Sequence, residues 1–197
     1  MGLITTPELC MSNAEFGLVR ADTSTELLSG REVYTVFQKA IWQLNFSLGL
    51  LKEGDDARKW RASLVRLSSF ANFFLCEPPD FVEPIYSSTV LQVDGNGQVG
   101  SLLAVKNATP NTLVFRAGEY FQIGEEVKMV VEDSTSNGAG IASVLFEPDL
   151  RGTHLTGTPL NNTTPKIKFR LSAPISNWAI QPGKFTIIRI DAIESFA

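Results

Sequence analysis

Six consecutive residues, Gly95-Asn96-Gly97-Gln98-Val99-Gly100, carry the glycine spacing that lets a backbone wrap a dinucleotide pyrophosphate. That chemistry needs a helix straight after the glycines, because the helix N-terminus supplies the anion-binding N–H groups. Residues 101–107 are instead rich in strand formers and run on to Pro110, so the glycines are expected to turn a hairpin. His154 is the single histidine, in Arg151-Gly152-Thr153-His154, with no cysteine or carboxylate at ligand spacing beside it. A Ser-His-acid arrangement would have to use it, yet no serine stands in a Gly-x-Ser-x-Gly turn, and it is expected to be a polar loop residue.

The remaining reactive groups read the same way. Asp55-Asp56, Glu125-Glu126 and Glu132-Asp133 pair carboxylates in sequence, whereas a glycosidase needs two acids facing each other across a cleft. Surface turns and a helix start account for all three pairs. Cys10 and Cys76 form no short-spaced pair and are expected to be unreactive thiols. Asn107-Ala108-Thr109 matters only in a secreted chain. No catalytic, cofactor-binding or metal-binding residue is expected, and an enzyme is disfavoured.

The elements that hold these residues are mainly β. Trp42, Leu44, Phe46, Leu48 and Leu50 alternate with small or polar residues and share one face of a strand. Residues 33–37 read as another strand. The period then changes: Ala57, Trp60, Leu64, Leu67 and Ala71 recur at steps of three and four after Gly54-Asp55-Asp56. That spacing predicts one amphipathic helix over 56–69, opened by a capping carboxylate. Glu77-Pro78-Pro79 stops regular pairing. Short strands are predicted at 89–93, 101–105, 112–115, 120–123, 127–132 and 141–146, with turns at 94–97, 109–111 and 137–140. A polar stretch at 157–164 leads to extended segments at 166–171 and 185–193.

Residues 87–164 can therefore close as an inserted small β-barrel, OB-like or SH3-like, with its return linker. Residues 165–197 are left without a partner unless they rejoin the sheet of residues 1–86, since unpaired buried backbone groups are costly. With 197 residues, 44% hydrophobic and 19% charged, the chain has the composition of a globular protein. Its 17 cations against 21 anions leave a net charge of −4, which argues against sequence-specific nucleic-acid binding. Its longest apolar run, Phe73-Phe74-Leu75-Cys76, is far too short for a bilayer, and the N-terminus lacks a signal-peptide pattern. A soluble, cytoplasmically made protein without a membrane partner is expected.

Taken together, these segments resemble the distal tail proteins of long-tailed (siphovirus-type) bacteriophages and gene transfer particles. The likeness runs from the strand around Trp42 and Phe46, through the helix with Trp60, to Phe73-Phe74-Leu75-Cys76-Glu77-Pro78-Pro79. Within the insert it rests on Gly97-Gln98-Val99-Gly100-Ser101, on Ala117-Gly118-Glu119-Tyr120-Phe121-Gln122-Ile123-Gly124, and on the closing segment. That segment runs from Asn137-Gly138-Ala139-Gly140 to Phe146-Glu147-Pro148-Asp149-Leu150-Arg151. The glutamate after Gly124 departs mildly from the family's usual aspartate. The resemblance implies Trp42, Phe46, Trp60, Phe73, Pro78, Pro79, Gly118, Phe121, Gly140, Pro148 and Arg151 as structural motif positions. It implies a mainly β protein in which residues 1–86 and 165–197 form a split β-sandwich with one packed helix, and a homohexameric ring in the virion tail tip, made in the host bacterial cytoplasm. The ring would join the tail tube protein to the baseplate hub protein around a channel for DNA, with no cofactor. The alternatives are a carbohydrate- or receptor-binding barrel module, marked by exposed clustered aromatics, a small hydrolase built on His154, and another ring-forming tail component.

Overall fold

The computed structural model describes residues 2–6, 11–20, 22–26, 32–36, 40–69, 71–84, 90–173, 178–183 and 185–196, with the backbone alone at 22–26 and 32–36. Cys10 and Phe37 lie outside the described residues. In chain order the elements are β1 (Gly2–Leu3), β2 (Met11–Val19), β3 (Asp22–Glu26), β4 (Glu32–Val36), β5 (Ile41–Leu48), β6 (Leu51–Lys52), α1 (Asp55–Leu67), β7 (Asn72–Cys76) and β8 (Gln92–Val93). They continue as β9 (Gly100–Lys106), β10 (Leu113–Phe115), β11 (Tyr120–Ile123), β12 (Glu126–Val130), β13 (Ser134–Thr135), β14 (Ala142–Leu150), β15 (Leu160–Asn161), β16 (Ile167–Leu171), β17 (Trp178–Gln181) and β18 (Phe185–Glu194). The protein is mainly β with one helix among the described residues, none of whose helices is long and apolar enough to cross a membrane.

Two compact units divide the chain: residues 1–19, 41–79 and 167–197 form the first, residues 20–40 and 80–166 the second. Residues 20–40 and 80–86, grouped by sequence with the opening segment, thus cluster with the insert. The first unit is one sheet in the order β1-β7-β16-β18-β5-β2, with β17 and β6 pairing the front half of β18. All its ladders are antiparallel except β1 on β7. The ten-residue β18 is the hub: Ile190 faces Phe46 on one side, and Leu171 faces Ala192 on the other. The last segment returns between two strands of the opening one, as backbone satisfaction demands.

Strict alternation makes that sheet one-sided. Trp42, Leu44, Phe46 and Leu48 are buried, while the residues between them are half-exposed. Leu50 falls outside this pattern, at 63% exposure, because the ladder to β18 breaks after Leu48 and resumes in β6. Helix α1 buries Ala57, Trp60, Leu64 and Leu67, the stripe its spacing predicts. It starts at Asp55 and stops at Leu67, so Ala71 lies beyond it, exposed. Its N-cap is Gly54, and no side chain caps it. Asp55 bonds Arg58 instead, so the acidic first turn acts through its charge at the helix N-terminus.

The second unit holds the sheet β15-β11-β12-β14-β9-β8. Its two edges meet: Leu160 N–H donates to Leu91 O, Val93 N–H to Thr158 O and Gly157 N–H to Val93 O, each at 2.9 Å. These bonds and one isolated bridge, Gln92 to Pro159, nearly close the sheet into a barrel, and the polar stretch expected to be a linker supplies the closing segment. Its core is aliphatic around three phenylalanines, with Phe121 5.5 Å from both Phe115 and Phe146.

Candidate functional site

The glycine motif at 95–100 is a hairpin turn between β8 and β9. Gly95, Gly97 and Gly100 all adopt positive φ, and the Gln98 amide fills the turn. Its Nε2 donates to Asp94 O at 2.6 Å, and its Oε1 accepts from Ala104 N–H at 2.6 Å. These glycines serve a turn, and the residues after them form β9 rather than a helix.

The densest collection of reactive groups lies where β12 begins. Glu126, Lys128 and Val130 share one side of that strand, and the Lys128 side chain is fully buried. Lys128 Nζ donates to Glu126 Oε2 at 2.6 Å and to Asp149 O at 2.9 Å. The same carboxylate accepts backbone N–H groups from Arg151, at 3.0 Å, and Gly152, at 3.3 Å. Burial alone would push the Glu126 carboxyl up. The hydrogen bonds from Lys128 and the Arg151 backbone, with the charges of Lys128 and Arg151, outweigh it and hold the carboxyl below its ordinary range.

His154 is a loop residue, as expected, but the fold brings it to this cluster and to an acid that its sequence neighbours did not show. Its Nε2 is buried, has no hydrogen-bond partner among the described residues, and lies 3.8 Å from Glu126 Oε1. Glu126 likewise is not the surface carboxylate its pairing with Glu125 suggested. Its lone pairs are taken up by an ammonium group and two amides. That arrangement pins the loop after β14 to the barrel, and Arg151 extends the clamp by donating from Nη2 to Ala40 O at 2.7 Å. Sequence reading missed Lys128 as well. The signal was an acid and a base two apart in a strand whose next same-face residue is apolar, which places both on the inner side.

The resemblance-derived positions scatter over the fold rather than converge. Trp42 and Phe46 are buried in β5, with Phe16 stacked on Trp42 at 4.8 Å, and Trp60 is buried in α1. Phe73 is half-buried beneath Lys168, whose Nζ stands 4.7 Å from the ring centre. Pro78 is buried and Pro79 exposed. Gly118 turns β10 into β11 and donates its N–H to Val130 O. Phe121 is the centre of the barrel core, Pro148 is buried in β14, and Arg151 belongs to the clamp. Gly140 has φ 72°, and a Cβ there would stand 2.4 Å from Ala108 O.

The four aromatics that would mark a sugar-binding face on the barrel are all buried: Phe115, Phe121 and Phe146 lie in its core, and Tyr120, on the other face of β11, is 2% exposed. The Tyr120 hydroxyl bonds both oxygens of Asp80, tying the start of the insert to the barrel; burial and the neighbouring Asp80 charge hold its proton on well above the usual phenol range. Among the described residues, no group of three or more His, Cys, Asp and Glu is placed to hold a metal.

The groups left open lie on the first sheet. On its outward face Asp191, Asn45 and Glu15 form one cross-strand row and Arg189, Ser47 and Asn13 the next, lining an open polar recess. At its margins, β17 is exposed along its whole length, with Ile180 at 63% and Trp178 at 37%. Compared with protein-family models and with curated proteins, the chain finds no match in either.

Proposed function

We propose that this chain is a structural protein of a phage-type tail tip, six copies of which form a ring joining tail tube to baseplate hub around a channel for DNA. The observation that carries the reading is the layout of the first unit. One sheet is assembled from both ends of the chain; its strand order ends in the nine-residue strand β2, and the four-residue strand β17 branches from β18 with every residue exposed. An exposed sheet margin is a ready template for pairing with another chain. A ring needs two different complementary patches on each subunit, and one sheet with two margins supplies them.

The charges support a mechanical role. Glu126, Lys128 and Arg151 are engaged in holding a loop, and the motif residues of both units pack cores and turns. Under this reading the protein acts by burying β surface between copies, and its partners are itself, a tube protein and a hub protein. The test is the mass of the purified chain across concentration, followed by electron microscopy of assembled particles carrying a tagged copy. Six-fold rings at the tail tip are expected. A chain that stays monomeric and is absent from particles overturns the reading.

A further inference from the structure

We infer that copies of this chain meet face to face, the basic outer stripe of α1 in one copy seated on the polar recess of the first sheet in the next. The inference rests on the ring reading only in that copies must meet, and it uses faces of the first unit that the sheet margins leave free. In the recess, Asp191, Asn45 and Glu15 stand level on three neighbouring strands, and Arg189 lies one row away on the Asp191 side. Glu15 and Asp191 are exposed, and neither carboxylate has an ion-pair or hydrogen-bond partner among the described residues. Two strand spacings, about 9.5 Å, separate them.

On α1, the Lys59 and Arg66 side chains are exposed and equally unpaired among the described residues. Seven residues apart, they lie about 10.5 Å apart along the helix axis and about 20° apart around it. Ala62, exposed between them, keeps the middle of the stripe low. Two cations thus repeat the spacing of two carboxylates to within about 1 Å. The patches cannot meet within one copy. Trp178 pairs with Ile188, whose buried side chain is on the inner side of the sheet, and the Arg61 guanidinium stands 6.0 Å from the Trp178 ring centre. That places α1 on the inner side, its buried stripe toward the sheet and Lys59 and Arg66 turned away, while the recess opens on the outer side.

The occupant is a second copy because the complement of the recess, in sign and in spacing, is carried by the chain itself. A patch and its complement on opposite sides of one unit make a head-to-tail contact, which can close into a ring. The remaining charges fix its direction. With Lys59 over Asp191 and Arg66 over Glu15, Asp56, exposed one turn before Lys59, falls on the side of Arg189. The reverse placement sets Arg66 beside Arg189 and leaves Asp56 at the far end. Exposed ion pairs add little affinity, so these charges set register and choice of partner.

Charge reversal in the full chain tests this. Glu15→Lys with Asp191→Lys makes a copy basic on both faces, and Lys59→Glu with Arg66→Glu makes one acidic on both. Each should keep the wild-type circular dichroism spectrum and raise the concentration for half-assembly by roughly tenfold or more, since like charges then face each other. An equimolar mixture of the two should assemble as wild type does, because every contact in an alternating row again joins opposite charges. Should a variant misfold, wild type mixed from light and isotope-labelled copies is treated with a water-soluble carbodiimide. The reagent joins the Lys59 amine to a carboxylate as an amide and takes up the water released, and mapping should find Lys59 joined to Asp191 of another copy. Rings of six from wild type and from the mixture support both readings. A rescued mixture in open chains or dimers keeps the charge pairing and removes the ring. Wild-type rings that each variant still forms alone, a mixture that stays apart, or the absence of that amide overturn the pairing. A wild type that stays monomeric overturns both.

Discussion

Lys128 Nζ and Glu126 Oε2 meet at 2.6 Å inside the barrel, with the lysine entirely shielded from water. Such a pair is costly to make and costlier to break. Replacing Lys128 with Met leaves the carboxylate buried without its cation and should lower stability by about 3–5 kcal/mol. Chemical denaturation measures this. The double change Glu126→Leu, Lys128→Met should cost less than the sum of the single ones, since no charge is then stranded.

Acid should act on the same carboxylate. Its folded-state value lies below the ordinary 4.5, so the unfolded chain takes up this proton first on acidification. The stability it contributes is present in full above the unfolded value and is lost as pH falls through the folded one. Denaturation of wild type and Glu126→Gln at pH 7 and at pH 3 should show the gap between them narrowing at the lower pH. An unchanged gap would refute the assignment.

Two glycines on positive φ should differ sharply when given a methyl group. At Gly140 the new Cβ meets a backbone carbonyl that has nowhere to go, whereas at Gly118, with φ 91°, it meets nothing within 4 Å. Gly140→Ala should cost about 3 kcal/mol or more, and Gly118→Ala about 1 kcal/mol, the price of backbone strain alone. Thermal unfolding of the two variants side by side decides it.

Cys76 is buried, and that burial, with the Glu77 charge beside it, pushes its thiol up to about 12. At pH 8 almost none is thiolate, and the thiolate is the reactive form. In a Cys10→Ser background the native chain should therefore take up no measurable thiol reagent over minutes, and one equivalent after unfolding. Prompt labelling of the native protein would contradict the buried position.

Much of this architecture can be read along the chain, because local periodicity carries it. The Trp42–Leu48 alternation, the Ala57-Trp60-Leu64-Leu67 stripe and the glycine turn at 95–100 each need only their own neighbours. What escaped depends on partners far away. β2 is Met-Ser-Asn-Ala-Glu-Phe-Gly-Leu-Val, weak in strand formers, and is held extended by its ladder to β5. The stretch 157–160 looks like a linker until Leu91 and Val93 are beside it. Lys128 reads as a solvated charge until the loop bearing Arg151 and His154 folds over it. Register and loop return decide such positions, and neither is written in a window of ten residues.

β18, flanked on both sides by other strands, leaves the ribosome after every strand that it pairs with. The barrel strands, from Gln92 to Asn161, are contiguous in sequence and can close as soon as they emerge. The older strands β5 and β7 must instead wait, each lacking one partner, until residues 167–194 are synthesised. During translation the nascent chain thus carries a finished domain and an unfinished sheet, so mispairing with a neighbouring nascent chain is most probable in that interval, and a chaperone would have most to protect there.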